Sequence, residues 1–314
     1  LRARATGTAI RAVPSAPRLD GRLDEPMWAL APVMSDFTQR DPNEGQPATQ
    51  RTEVQVLFTD DALYVGVRAF DSEPDRIAAQ LTRRDADSPS DWIVVAVDSY
   101  HDRRTAFQFW VNPAGVKRDV YVFNDNEEDD SWDAVWEVSV SRDANGWTAE
   151  YRIPFSQLRF PRAESQSFGF NVARKINRLN ETDMWRLIPR NASGQVSLYG
   201  DLEGIAGIRP PRRLEILPYS VGRAARTIAE QGNPFRTGSE ASGSFGADLK
   251  YGVTSNLTLD ATINPDFGQV EADPAVVNLS AFESFFPERR PFFTEGVNIL
   301  RFPLGFGDGD GASE

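Results

Sequence analysis

Tryptophan side chains are the first residues in this sequence whose chemistry points to a ligand. The chain contains seven Trp residues, and an indole ring offers a flat apolar face together with one N–H donor. Trp132 stands beside an acidic loop, and we expect it to contact a ligand. Trp110 alternates with Phe109 and Val111, so it points away from the sheet face that they occupy and is a second candidate platform.

An acidic run at residues 124–130 is the second chemical feature. It reads Asn-Asp-Asn-Glu-Glu-Asp-Asp, and calcium binds about six to eight oxygen ligands. The run lacks the ordered Gly and distal Glu of an EF-hand loop. Two interpretations stay open: a structural calcium site with Asp125 and Asp129 as ligands, or a solvated acidic loop.

Composition excludes several other functions. The chain has no Cys and a single His, His101, so it has no disulfide, no thiolate zinc site and no multi-histidine metal site. The net charge is −12 without a basic stripe, which argues against nucleic acid as a partner. No motif identifies a pair of catalytic carboxylates, so we expect neither an enzyme nor a required cofactor.

Short alternating runs dominate the chain from about residue 52 to residue 185. Residues 54–58 and 63–67 flank a Thr-Asp-Asp-Ala turn, which predicts a β-hairpin. Further strand-length runs lie at 92–97, 107–111, 120–123, 136–140, 147–153 and 168–172. This density of short strands predicts an all-β fold, an antiparallel and jelly-roll-like β-sandwich.

Gly and Pro residues between 200 and 213 break any continuing element. We therefore place a domain boundary near residue 208, which divides the chain into domains 1–208 and 209–314. In the second domain, a strand opens at Leu214 and is expected to be interrupted by Pro218.

The segment 244–269 follows a predicted loop at 232–243 and raises the question of what its apolar side chains face. Leu257, Leu259 and Ile263 alternate with polar residues, as in a transmembrane barrel hairpin or a half-buried soluble hairpin. Residues 209–314 have room for about four or five such strands, whereas a closed barrel needs at least about eight. A membrane interpretation therefore implies the opening, incomplete part of a barrel.

Two motifs together resemble family 9 carbohydrate-binding modules. One is Asp-Gly-x-x-Asp-Glu-x-x-Trp at 20–28, and the other is Trp-x-x-Glu-x-x-Ile-Pro at 147–154. The resemblance covers about residues 10–208. It implies a non-catalytic sandwich that binds a glycan or envelope saccharide, with Trp28 and Trp147 in the core and a structural calcium ion at a position that the resemblance does not specify.

The resemblance also implies site residues. Trp185, preceded by Asn177 and Asn180, is similar to the late Asn and Trp pair of the family's sugar site. The family's second aromatic residue is missing between residues 85 and 90. An alternative is therefore a structural or interaction domain that has lost sugar binding.

The second domain resembles the start of bacterial outer-membrane barrel proteins, on the stretches 264–273 and 285–296. This resemblance implies location in the outer membrane of a Gram-negative-type bacterium, with lipid against the C-terminal half. The sandwich would then be periplasmic or surface-exposed and linked to uptake or surface attachment.

Overall fold

The computed structural model describes residues 5–209, 214–226, 239–253 and 257–264. The strands are β1 Thr6–Arg11, β2 Thr38–Asp41, β3 Thr52–Phe58, β4 Ala62–Phe70, β5 Trp92–Asp98, β6 Ala106–Val111, β7 Lys117–Phe123, β8 Glu127–Asp129, β9 Glu137–Asp143, β10 Gly146–Pro154, β11 Ser165–Ile176, β12 Glu181–Met184, β13 Gly200–Ala206, β14 Leu214–Arg226, β15 Ser239–Gly252 and β16 Thr258–Ile263. The helices within these ranges are single 3₁₀ turns at Trp28–Leu30, Pro74–Arg76, Asn177–Leu179 and Val196–Leu198. None of them has the length and apolar character needed to cross a membrane.

The chain divides into two compact units, Leu1–Glu215 with Leu249–Asp260 and Ile216–Asp248 with Ala261–Glu314. Strands β1–β13 form a β-sandwich, which confirms the predicted all-β fold. Its first sheet has the order β8-β7-β6-β5-β11-β13, and β12 and β2 continue from the second half of β11. Its second sheet has the order β3-β4-β10-β9.

The predicted antiparallel pairing does not hold at strand β1, which belongs to both sheets. Thr6–Thr8 pair in parallel with β13 of the first sheet, and Ala9–Arg11 pair in parallel with β3 of the second. Each sheet therefore receives half of one short strand. The other pairings within the sandwich are antiparallel.

The core lies between the two sheets and follows from their alternating residues. Ile93, Val95 and Val97 of β5 face alternating apolar residues of β10, and all are buried. The Tyr151 hydroxyl crosses the core and donates to the Ile93 carbonyl at 3.1 Å. Burial of Tyr151 raises the pKa of its phenol well above the ordinary value, so the hydroxyl stays a donor.

The two sequence motifs meet on the outer face of the second sheet. The backbone N–H groups of Asp20 and Gly21 each donate to Glu150 Oε2 at 3.0 Å. Trp28 packs there beside Leu57 and is 1% exposed, and Trp147 lies in the central core at 0%, as predicted. These hydrogen bonds between the motif at 20–28 and Glu150 therefore hold the N-terminal segment on the sandwich.

Strands β14, β15 and β16 form a separate three-stranded sheet in that order. The predicted interruption at Pro218 is wrong, because β14 continues through it as an edge strand, where the missing N–H of Pro is tolerated. Residues 239–243, predicted as loop, belong to β15. The remaining predicted loop at 232–238, the stretches 265–273 and 285–296, and the rest of the chain to residue 314 lie outside the described residues.

The apolar row of the predicted hairpin is exposed in this sheet. Phe245, Leu257, Leu259 and Ile263 have exposed fractions of 80%, 56%, 50% and 73%. The alternation therefore does not bury these side chains in a core formed by the described residues.

Candidate functional site

A pocket of about 360 Å³ lies on the outer face of the first sheet. Its lining comes from strands β2, β5, β6, β7, β8, β11 and β12, and from the segments before β5 and before β13. The lining residues are Arg40, Asp87, Trp92, Val94, Ala96, Gln108, Trp110, Arg118, Glu128, Asn171, Ala173, Lys175, Thr182, Met184, Ile188, Gln195 and Tyr199.

Strand periodicity places these side chains in the pocket. Successive residues of a strand point to opposite faces, so the neighbours of core residues in β5, β6 and β11 face outward. Gln108 and Trp110 alternate with Phe107 and Phe109, which face the core. The predicted outward orientation of Trp110 is therefore confirmed.

Two tryptophans form an aromatic corner in the pocket. The rings of Trp92 and Trp110 meet edge to face, with centroids 6.3 Å apart and planes at 73°. The Trp92 N–H donates to the Ser88 carbonyl at 3.3 Å, and the Trp110 N–H donates to Gln108 Oε1 at 3.0 Å. Trp92 is only 2% exposed while Trp110 is half-buried, so Trp110 is the more accessible of the two rings.

A chain of amides and a carboxylate follows the aromatic corner. Gln108 Nε2 donates to Gln195 Oε1 at 3.2 Å, and Gln195 Nε2 donates to Glu128 Oε1 at 3.4 Å. Amide and carboxylate groups in a row match the alternating donors and acceptors of a polyhydroxylated ligand.

Asp125 positions the wall of the pocket. Its carboxylate accepts the Ser197 N–H at 2.8 Å and the Ser197 hydroxyl at 2.7 Å, and its carbonyl accepts the Gln195 N–H at 2.9 Å. A Cβ on Gly194 would lie 1.9 Å from Asp125 Oδ2. The close approach of this loop therefore requires glycine at position 194.

Asp129, the other predicted calcium ligand, also makes local contacts. Its Oδ1 accepts the Ser131 N–H at 3.0 Å and the Ser131 hydroxyl at 2.5 Å. No group of three or more His, Asp or Glu side chains placed to hold a metal ion occurs in the part of the chain that the structure describes. Calcium binding by Asp125 and Asp129 stays a prediction.

The prediction that Trp132 contacts a ligand requires a correction. It is 6% exposed, and its ring packs against Phe107 at 4.9 Å and Phe109 at 5.9 Å between centroids. The acidic loop beside it in sequence does not make it a ligand platform, because the indole turns into the core.

Trp185, Asn177 and Asn180 are not among the pocket lining either. The Trp185 ring packs against Phe170 from the core side, with centroids 6.0 Å apart. Asn177 begins the 3₁₀ turn after β11, and Asn180 ends it in the left-handed conformation with φ 48°. The structure therefore does not bring this trio together with Trp110.

Several pocket residues were missed by the sequence analysis. Trp92 opens a strand that is buried on both faces, so alternation gives no direction for it. Arg118 lies next to the buried Asp119, and Lys175 lies between the buried Arg174 and Ile176. This offset by one residue from buried positions is the signal that could have indicated the outer face.

A β-sandwich with an aromatic and amide-lined pocket on one outer face defines a class of ligand-binding modules. Within that class, the model for the "carbohydrate family 9 binding domain-like" family matches residues 19–200, and the chain belongs to this family. The family consists of non-catalytic binding modules. A second model, a domain of unknown function (DUF5916), matches residues 210–302.

One solved structure supports the fold, and two more are similar in part. A Bacteroides uniformis protein described provisionally as carbohydrate-binding is 12% identical with a TM-score of 0.51, over 64% of this chain and 100% of that one. A family 9 module from Caldicellulosiruptor kristjanssonii with cellotriose is 16% identical with a TM-score of 0.47, over 65% and 95% of the two chains. A family 9 module from the same organism with glucose is 18% identical with a TM-score of 0.46, over 65% of this chain and 100% of that one. A comparison with curated proteins finds no match.

Proposed function

We propose that the outer-face pocket binds a saccharide without catalysis. The single observation that supports it best is the half-buried Trp110 ring beside the Gln108–Gln195–Glu128 chain. Sugar C–H faces pack on aromatic rings while hydroxyls need hydrogen-bond partners. Membership in the carbohydrate family 9 binding domain-like family supports the same ligand class.

Calorimetric titration of the full chain with a panel of plant and cell-wall oligosaccharides tests this proposal. Trp110→Ala is expected to weaken binding about tenfold or more, because the sugar face would lose its aromatic packing partner; stacking of a nucleic-acid base on an aromatic ring contributes on the order of 1–3 kcal/mol, and we expect a similar size for a sugar. Trp185→Ala is the matched variant, and we expect it to leave saccharide affinity unchanged once its folded fraction is accounted for.

Absence of heat across the panel would favour the alternative of a structural domain that has lost sugar binding. Loss of affinity in Trp185→Ala with normal folding, but not in Trp110→Ala, would move the site to the Trp185 side.

We also propose that strands β14–β16 contact the lipid of an outer membrane and so anchor the sandwich in the bacterial envelope. The exposed row Phe245, Leu257, Leu259 and Ile263 supports this, because exposed apolar rows of this kind commonly mark interaction surfaces. Flotation with phosphatidylcholine vesicles compares Leu259→Asn, expected to reduce the bound fraction, with Asp260→Asn, expected not to. Equal flotation of both variants contradicts the lipid contact.

A further inference from the structure

Three cationic side chains line the pocket from separate strands. Arg40 comes from β2, Arg118 from β7 and Lys175 from β11. The pocket contains two carboxylates, Asp87 and Glu128. The lining is therefore net positive in a chain whose net charge is −12.

None of the three cations is neutralised by an ion pair with a described residue. The Arg40 Nε is buried without a hydrogen-bond partner. The Arg118 guanidinium carbon lies 5.3 Å from the centroid of the Trp110 ring, an arrangement that leaves the in-plane N–H donors of a stacked guanidinium free. Lys175 is exposed.

Other arginines of the sandwich differ in this respect. Arg84 forms a salt bridge with the buried Asp119 at 2.7 Å, and Arg152 pairs with Glu137 at 2.8 Å. The two carboxylates of the pocket form no ion pair with these cations among the described residues. Glu128 accepts a hydrogen bond from Gln195 at 3.4 Å, and Asp87 accepts the Ser88 N–H at 2.9 Å.

We propose that the pocket prefers a saccharide that carries a carboxylate, as in a uronic acid unit, over its neutral counterpart. This inference rests on the proposed function. The planar donor pair of an arginine matches a carboxylate, and Arg118 lies against the Trp110 ring, 5.3 Å from its centroid. Arg40 and Lys175 add positive charge to the same pocket.

Titration with tri-galacturonate and with its fully methyl-esterified form tests the preference, because esterification removes the charge and keeps the sugar rings. We expect the acid to bind about tenfold more tightly or better, since hydrogen bonds to charged groups are about twice as strong as neutral ones. The difference should shrink as ionic strength increases.

Single substitutions test whether the pocket residues cause the preference for the acid. Arg118→Gln and Lys175→Gln should each weaken binding of the acid several-fold and weaken binding of the ester less, so that the preference for the acid shrinks. Arg162→Gln removes the same charge from an exposed residue outside the pocket and should leave the preference intact. Lys175 is exposed, so its variant is expected to fold normally even if Arg118→Gln does not.

The outcomes separate the two proposals. Equal affinity for acid and ester, or a preference that persists in both pocket variants, overturns the carboxylate inference and leaves saccharide binding standing. If neither form binds and the neutral panel is silent as well, the proposed function fails and the inference fails with it.

Discussion

At the residue scale, Trp110 and Trp132 show that one residue type serves two purposes in neighbouring segments. Trp110 lies within a strand, where its core-facing neighbours Phe109 and Val111 determine its direction. Trp132 lies outside any strand, so periodicity says nothing of its direction. Burial of a large apolar ring outweighs the polarity of the adjacent acidic loop.

Trp132→Ala is expected to lower the free energy of unfolding by roughly 3–5 kcal/mol, as deletion of a buried aromatic side chain usually does. Urea unfolding followed by circular dichroism measures the change, and Trp136→Phe, which keeps an aromatic ring in the same core, provides a milder comparison. A Trp132→Ala variant that stays stable but no longer binds saccharide would return this residue to the ligand site.

Glu150 gives the fold a pH dependence. Burial, followed by the charges of Glu25 and Asp20, raises the pKa of Glu150 from 4.5 to about 7, although two backbone N–H groups oppose the shift. The folded state therefore holds this proton more tightly than the unfolded state. The contribution of Glu150 to stability is fully present below pH 4.5 and is lost as the pH rises through 7.

Glu150→Gln should remove this dependence, because the amide is neutral at every pH and still accepts the Asp20 and Gly21 N–H groups. Relative to the original chain, the variant should gain stability between about pH 4.5 and pH 7, by up to roughly 3 kcal/mol. Denaturant unfolding at a series of pH values measures the difference. A difference that stays constant with pH contradicts the shifted pKa of Glu150.

At the element scale, the shared strand β1 depends on a glycine in β13. Gly204 has φ +90°, and a Cβ there would lie 2.4 Å from the Ala9 carbonyl oxygen. Gly204→Ala is expected to destabilise the sandwich by about 2 kcal/mol or more, through backbone strain and through separation of β1 from β13.

Gly45→Ala is the matched control, because Gly45 has φ +85° with no atom within 4 Å of the added Cβ. It should cost only the strain of the left-handed backbone, about 1 kcal/mol. Hydrogen exchange of the β1 amides distinguishes the two variants. Equal protection of β1 in both would show that the close approach at Gly204 is unimportant.

Within the sandwich, alternation predicted the long strands well and the short ones poorly. The hairpin of β3 and β4 and the core strand β10 have clear apolar periods, and the structure contains them. Strands β2 and β12 have only four residues each, too few for a period to stand out. The parallel pairing of β1 depends on partners that are distant in sequence, which local patterns do not report.

The pocket was predicted only in part for a similar reason. Its side chains come from seven strands and two connecting segments, and Trp110 alone among them was predicted from the residues. The cations Arg40, Arg118 and Lys175 are far apart in sequence. They form one positively charged group only because the fold brings β2, β7 and β11 to the same face.

At the scale of the whole molecule, the sequence predicts a boundary near residue 208 that proteolysis can test. Arg212 and Arg213 directly follow Pro210 and Pro211, and proline rings break continuing elements. Limited trypsin digestion is therefore expected to release a fragment that ends at Arg212 or Arg213 and retains saccharide affinity. First cleavage inside the hydrogen-bonded strands of the sandwich would contradict this boundary.

The strand that both sheets share also governs when a nascent chain can finish folding. Thr6 pairs with Asp201, so one of the first residues of the sandwich to be synthesised waits for one of the last. At about 5–20 residues per second, that interval lasts roughly 10–40 s. During it the amides of Thr6–Thr8 have no partner strand, and a chaperone that shields this amino-terminal edge would act when the growing polypeptide is most prone to aggregate.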